Sequence, residues 1–295
     1  MSWTSNDFFL LVTAHPDDEA MFFYPTIHHL LQTAHKNNIH LMCLSTGNYD
    51  NLGTLRSKEL MLSASLLGFC SNNVCVLNDA RFQDGPKEIW PADILSSVVE
   101  DYIRTRMHIL PSKTASDDDS AYQDSTPTKV VQIITFDSHG VSGHRNHVDT
   151  YAGVRYLVTT TTPARLGKRA SDGGNSINVN VRMQAWELKT VGILRKYCII
   201  LDFVIVKVWP ITYIWMFIMF LLGYSNLAAK YFSSKGSNNN AAVKDHPGKE
   251  LVLMGFDPLT VWKAMAAHYS QFVWYRRLSV LFSRYTYCNV LKEIR

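Results

Sequence analysis

The residues best suited to chemistry in this 295-residue chain lie in two short clusters. The first is Ala14-His15-Pro16-Asp17-Asp18-Glu19, directly after the apolar run Phe8-Phe9-Leu10-Leu11-Val12. One imidazole followed by two adjacent carboxylates suits a divalent metal with a spare carboxylate beside it. A helix start would also favour these acids and this proline, since acidic side chains complement the positive end of the helix dipole. It gives no reason for the histidine. The second cluster follows the apolar run Val130 to Phe136 and reads Asp137-Ser138-His139-Gly140-Val141-Ser142-Gly143-His144-Arg145-Asn146-His147. His144 and His147 are three apart, so both rings can point the same way where a helix begins near Asn146. Two histidines at that spacing, beside glycine-containing backbone, suit a metal or an acid–base role.

Those clusters must be positioned by the elements around them. Strands are predicted over Phe8 to Ala14, Ile39 to Ser45, Val74 to Leu77 and Val130 to Phe136, with helices over about Ala20 to His35, Leu55 to Leu67 and Ala92 to Met107. Gly68 is placed to cap the second helix. Such alternation predicts an α/β fold: a Rossmann-like, mostly parallel sheet flanked by helices. Both clusters then fall at the carboxyl ends of strands, where open α/β sheets hold their ligands. No G-x-G-x-x-G follows the first strand, so nothing points to a dinucleotide.

The whole chain, 1–295, reads as one domain with insertions. Polar insertions are expected at about 111–128, which holds Asp117, Asp118 and Asp119, and at 159–179; a polar linker is expected at Ser233 to Lys249. The triple Asp reads as solvated loop rather than a metal site. From Val208 to Ala229 the chain has 22 residues without a charged side chain, close to the roughly 20 needed to span a bilayer. Lys and Arg flank both ends of it, so charge does not orient it.

Hydrophobic residues at 47% and charged residues at 18% fit a globular protein with a slight lean towards membranes. A net charge of +4 without a basic, aromatic-interleaved stripe excludes nucleic acid as the expected partner. Five scattered cysteines with no C-x-x-C pair, together with the absence of any Asn-x-Ser/Thr, point to reduced thiols facing the cytosol. The N-terminus has no basic n-region and does not read as a signal peptide.

The motifs together carry a resemblance. His15-Pro16-Asp17-Asp18-Glu19, Gly143-His144-Arg145-Asn146-His147 and the late His268-Tyr269-Ser270-Gln271 resemble the LmbE-type zinc de-N-acetylases. More narrowly they resemble the PIG-L branch, which works on N-acetylglucosaminyl-phosphatidylinositol in glycosylphosphatidylinositol anchor synthesis. Further matching stretches are Thr46-Gly47-Asn48, Leu55 to Leu60, Thr135-Phe136-Asp137, Ile193 to Tyr197 and Trp274-Tyr275-Arg276.

The resemblance implies zinc ligands His15, Asp18 and His147, a general base Asp17, and a His144 that helps polarise the amide and protonates the departing amine. Arg56, Asp137 and His268 become expected substrate or supporting residues. The chemistry agrees: two imidazoles and a carboxylate with one open position form a catalytic zinc arrangement, although Fe(II), Co(II) and Mn(II) suit the same donors. Zinc polarises a carbonyl and lowers the pKa of water, and a carboxylate that is not a ligand can take the proton. The implied protein is a hydrolase on the endoplasmic reticulum membrane, its catalytic domain facing the cytosol. PIG-L proteins usually carry an N-terminal membrane anchor, whereas this sequence opens on the first strand and its apolar stretch is internal. One crossing at Val208 to Ala229 would separate His268 from the metal, so an interfacial or re-entrant segment is expected. The competing readings are a soluble LmbE-type deacetylase of another N-acetylglucosamine conjugate and a non-catalytic membrane-associated scaffold.

Overall fold

A computed structural model describes residues 3–107, 129–160, 181–197 and 249–295, together with the backbone of a short strand pair, β5 (Lys168–Arg169) and β6 (Ile177–Asn178). The predicted insertion at 111–128, most of that at 159–179, and the apolar stretch and linker of 208–249 up to residue 248 lie outside the described residues. Among the described residues no helix is long and apolar enough to cross a membrane.

The fold is mixed α/β, with a central seven-stranded sheet in the order β3-β2-β1-β4-β7-β9-β8. Inside it, third from one edge, is β1 (Phe8–Thr13), every residue of which is buried. A run of five Phe, Leu and Val residues before Thr13, with no polar alternation, is what a strand covered on both faces requires. β1 pairs in parallel with β2 (Ile39–Cys43) on one side and β4 (Lys129–Phe136) on the other. β3 (Val74–Val76) extends the parallel set beyond β2, and β7 (Val181–Leu188) extends it beyond β4. The far edge turns antiparallel through β9 (Cys288–Glu293) and β8 (Glu250–Met254), neither of which was predicted from sequence.

Helices cover both faces. The predicted helix at about Ala20 to His35 is instead two, α1 (Asp18–Phe22) and α2 (Tyr24–Thr33). The break at Phe23 has a local cause: Pro25 lacks an N–H and fits only a first turn, so a new helix starts there. α3 (Gly53–Leu67) ends at Gly68, whose left-handed backbone sends its N–H to the carbonyls of Ala64 and Ser65. α4 (Ala92–Arg106) packs on α6 (Arg145–Thr160), which follows the short turn α5 (Gly140–Gly143). After α7 (Ile193–Tyr197) and β8, helix α8 (Pro258–Ala267) packs on α3, and α9 (Trp274–Phe282) leads back to β9. Asp257 caps α8 by accepting the Thr260 N–H at 3.0 Å.

The chain runs outward from β1 through β2 to β3, then returns to β4 on the other side of β1. That reversal of strand order is the topological switch point of an open sheet. The loops leaving β1 and β4 flank it, and they carry the two clusters.

Candidate active site

Two imidazole nitrogens and a carboxylate oxygen converge at this switch point. His15 Nδ1 stands 3.3 Å from His147 Nε2, and His147 Nε2 stands 3.2 Å from Asp18 Oδ1. All three residues are buried. The other nitrogen of each ring is committed elsewhere. His15 Nε2 lies 3.1 Å from both Asp84 Oδ1 and Asn146 Oδ1, and His147 Nδ1 lies 2.9 Å from the Gly140 carbonyl. Those partners are acceptors, so N–H groups on the outer nitrogens would satisfy them and leave the lone pairs of the two inner nitrogens, with Asp18 Oδ1, for a cation. The ring of His147 is fixed further by stacking on Phe136, with centroids 4.1 Å apart and planes within 2°.

A set of three converging electron pairs is what a metal cation needs. Donors about 2.0–2.1 Å from a tetrahedral zinc stand about 3.3–3.4 Å from one another, which matches the two distances to His147 Nε2; His15 Nδ1 and the Asp18 carboxylate are farther apart, 3.8 Å at Oδ2. The outer partners have the form that metal-binding imidazoles use, a carboxylate or a carbonyl on the far nitrogen. Hence His15, Asp18 and His147 fit a divalent metal. The third imidazole, His144, brings a nitrogen to within 4.8 Å of those of His15 and His147 but is only half-buried. Its Nδ1 accepts the Asn146 N–H at 3.3 Å, so the neutral ring carries its proton on Nε2.

The charges are arranged to favour an anionic Asp18. Burial alone would raise its pKa, but the neighbouring His147 and His15, with backbone help from His15, hold it well below the usual carboxylate range. The Asp18 carboxylate also folds back to accept the N–H groups of His15, at 2.8 Å, and Ala14, at 3.1 Å. For His15, burial opposes protonation; Asp84 and Asp18 outweigh it and raise the pKa. For His144, burial leads, the other two imidazoles add to it, and the pKa falls.

Asp17 sits beside this centre in an unusual conformation, with φ 107° and ψ −21°. Few non-glycine residues adopt a positive φ without a structural reason. Here the reason is Glu19, whose Oε2 accepts the Asp17 N–H at 3.1 Å. Glu19 Oε1 in turn takes hydrogen bonds from Ser63 Oγ at 2.6 Å and His268 Nε2 at 2.7 Å. Glu19 and His268 are both fully buried. His268, remote in sequence, therefore acts on the site through Glu19 and the backbone of Asp17. Next to it, Ser270 donates its N–H and hydroxyl to the two oxygens of Glu59, fastening this segment to α3.

Two arginines meet the Asp17 side chain. Arg276, from α9, is hydrogen-bonded to Asp17 Oδ2, and Arg56, from α3, lies 3.6 Å from the same oxygen. Arg56 is buried and ties three loops together: it donates to the carbonyls of Pro16 at 2.8 Å and Gly47 at 2.9 Å and lies 3.6 Å from Asp84. Gly47 has a φ of +66°, and a Cβ there would fall 2.5 Å from the guanidinium. Asp137 stands apart from the imidazoles. Its carboxylate accepts the N–H and hydroxyl of Thr190, each at 2.6 Å, and so joins the loop after β4 to the end of β7.

Of the sequence-predicted residues, His15, Asp17, Asp18, His144, His147 and Arg56 therefore share one site, with His268 behind it and Asp137 at a loop junction. Sequence reasoning missed Asp84, Asn146 and Arg276. Asn146 lay inside the quoted second cluster, and Arg276 inside a stretch noted for its resemblance; Asp84 had no motif around it.

Fold and site together define a mixed α/β protein with a cluster of histidines that could hold a metal ion at its switch point. The family model described as GlcNAc-PI de-N-acetylase, PIG-L, matches residues 10–158, and the chain belongs to that family. It is 32% identical over 282 residues to the N-acetylglucosaminyl-phosphatidylinositol de-N-acetylase of Bos taurus, covering 96% of this chain and 81% of the relative. It is 30% identical over 295 residues to the probable enzyme of that name from Dictyostelium discoideum, covering 97% and 93%. In fold it is similar to the N,N'-diacetylchitobiose deacetylase of Pyrococcus horikoshii, with a TM-score of 0.51 at 14% identity, over 97% of this chain and 82% of that one.

Proposed function

We propose that the protein hydrolyses the N-acetyl group of N-acetylglucosaminyl-phosphatidylinositol, releasing acetate and leaving glucosaminyl-phosphatidylinositol. The observation that carries this reading is the convergence of His15 Nδ1, His147 Nε2 and Asp18 Oδ1 beside a carboxylate, Asp17, that is not among the converging donors. His15, Asp18 and His147 would hold zinc or another divalent ion, which when bound would supply Lewis acidity for the acetyl carbonyl and make water a stronger acid. Arg276 and Arg56 both engage Asp17 Oδ2, which leaves Oδ1 as the basic oxygen that takes the proton of the attacking water. His144, neutral because its pKa is lowered, presents Nε2–H to the acetyl oxygen, and the proton that Asp17 has taken from the water goes on to the amine nitrogen as the C–N bond breaks. Asp84 and Gly140 hold the two ligand imidazoles in the tautomers this requires.

The working location is the cytosolic face of the endoplasmic reticulum, where a lipid-borne substrate gives the apolar segment a purpose. β7 precedes Val208 to Ala229 in the chain, β8 and β9 follow it, and all three strands belong to one sheet. A single crossing would put neighbouring strands on opposite sides of a bilayer, so the segment is assigned as interfacial or re-entrant. The decisive assay is deacetylation of N-acetylglucosaminyl-phosphatidylinositol by the purified protein, before and after chelation and after zinc is restored. Activity lost to chelator and recovered with zinc is expected; activity indifferent to complete metal removal would overturn the reading.

A further inference from the structure

Helix α9, Trp-Tyr-Arg-Arg-Leu-Ser-Val-Leu-Phe over Trp274–Phe282, is oriented opposite to an ordinary surface helix. At 100° per residue, Trp274, Leu278, Phe282, Tyr275 and Leu281 fall within one arc of about 120°. A surface helix normally buries such an arc against the core. Here it faces outward: Trp274 is 72% exposed, Tyr275 55%, Leu278 47%, Leu281 41% and Phe282 53%. The opposite side, carrying Arg276, Ser279 and Val280, faces the protein, and only Val280 of the helix is fully buried. From that inner side Arg276 reaches Asp17. The apolar arc and the candidate active site are thus two faces of one helix.

The stretch of chain that carries the arc holds cations alone, although Arg276 pairs with Asp17 and Arg284 is buried. Residues 258–292 contain Lys263, Arg276, Arg277, Arg284 and Lys292 but no Asp or Glu. Arg277 is exposed at the border of the arc, with its guanidinium 5.4 Å from the centre of the Phe272 ring. An outward apolar arc with Trp and Tyr at one end and arginine at its edge has the composition that lies in the headgroup layer of an anionic membrane. A patch of this kind is larger than the scattered apolar residues an ordinary surface shows.

We propose that α9 docks the protein on a bilayer bearing anionic phosphoinositide headgroups, with Trp274, Leu278 and Leu281 inserted and Arg277 at the headgroups. This deepens, and rests on, the reading of the substrate as a lipid. The helix carrying Arg276 then sets the distance between the membrane surface and Asp17, so a sugar displayed on a lipid headgroup meets the site without leaving the bilayer.

The test uses the full chain and the double variant Leu278→Gln/Leu281→Gln. Rates are measured on a water-soluble N-acetylglucosaminyl-inositol phosphate without acyl chains and on the lipid substrate in phosphatidylcholine–phosphatidylinositol vesicles. The variant should match wild type on the soluble substrate and fall about tenfold or more on vesicles, since each lost leucine removes buried apolar area. In parallel, brominated lipid should quench a fluorescence component that Trp274→Phe removes. Equal vesicle rates for the two proteins would overturn the proposal. So would a Trp274 component untouched by bromolipid, whether a second copy or the chain's own residues 198–248 cover it. A wild type that deacetylates neither substrate while Trp274 is quenched would sink the substrate assignment and leave the docking face standing.

Discussion

Replacing His268 by leucine tests whether the backbone of Asp17 is held by a buried ion pair. His268 and Glu19 have no solvent exposure, and their contact is 2.7 Å, the length of a charge-assisted hydrogen bond. Burial works against a charged His268, as does its Nδ1, which has no partner among the described residues. The negative charges of Glu19, Asp17 and Glu59 outweigh this and raise its pKa. In His268→Leu the Glu19 carboxylate keeps only Ser63 and the Asp17 N–H as donors. Leaving one member of a buried pair uncompensated costs about 3–5 kcal/mol, a sizeable part of a domain's stability. The loss should be read from urea unfolding. It should also depend on pH with a definite sign: His268 has a raised folded pKa, so its contribution is complete below the ordinary 6.5 of an imidazole and disappears as pH rises through the raised value. The gap between wild type and variant therefore narrows as pH rises from about 6 through that raised value. Glu19→Leu/His268→Leu should recover part of the stability, because apolar replacements of both partners are often tolerated. Its turnover number should fall below that of the single variant, because the Asp17 N–H then loses its acceptor; a base displaced by about 1 Å costs about a hundredfold. A stability loss under about 1 kcal/mol, or a gap that ignores pH, would refute the ion pair.

The remaining predictions concern the centre and its supports. Asp17→Asn should keep its zinc, measured by metal analysis, and lose about 10²- to 10⁴-fold in turnover; full activity would show that another group takes the proton. Asp84→Ala should weaken zinc binding about 10- to 100-fold in a chelator competition, because His15 Nε2 loses its carboxylate partner. Gly47→Ala, with its Cβ 2.5 Å from Arg56 and a φ of +66°, should lower stability by about 1–3 kcal/mol in thermal unfolding and reduce activity as Arg56 shifts. His40 has its pKa pushed down to about 4 by burial, with Arg106 adding to it. Its stability contribution is intact above pH 6.5 and is lost as pH falls towards 4, by about 3 kcal/mol, and urea unfolding of His40→Phe should lack that part of the acid loss.

How much of this was legible in the sequence follows from which contacts are local. The strand β1 and the cluster after it were readable because an unbroken apolar run and the ionisable residues ending it lie within one stretch of chain. His144 and His147 were readable because they stand three apart at the start of one helix, although only His147 lies in α6 and His144 precedes it in extended backbone. Asp84 was not: it stands in a loop between β3 and α4, and only folding brings it to His15. The outer sheet edge was missed for a similar reason, since β8 and β9 pair with each other and with β7 from the end of the chain. Motif position alone could also mislead. Asp137 ends a strand beside the histidine pair, yet the Thr190 N–H and hydroxyl claim its oxygens.

The division of labour between Asp17 and Asp18 shows what spacing cannot carry. They are chemically identical neighbours, so no rule of residue type separates them. The backbone does. At Asp18 the chain enters α1 and the carboxylate turns back onto the N–H groups of Ala14 and His15, which puts its other oxygen against His147. At Asp17 the positive φ, held by Glu19 and behind it by His268, directs the carboxylate to Arg56 and Arg276 instead. Two like acids thereby acquire opposite tasks, one suited to hold a cation and the other free of it to move a proton. The residue that maintains the difference lies some 250 positions along the chain, with its Nε2 on Glu19 across a separation of 249 residues.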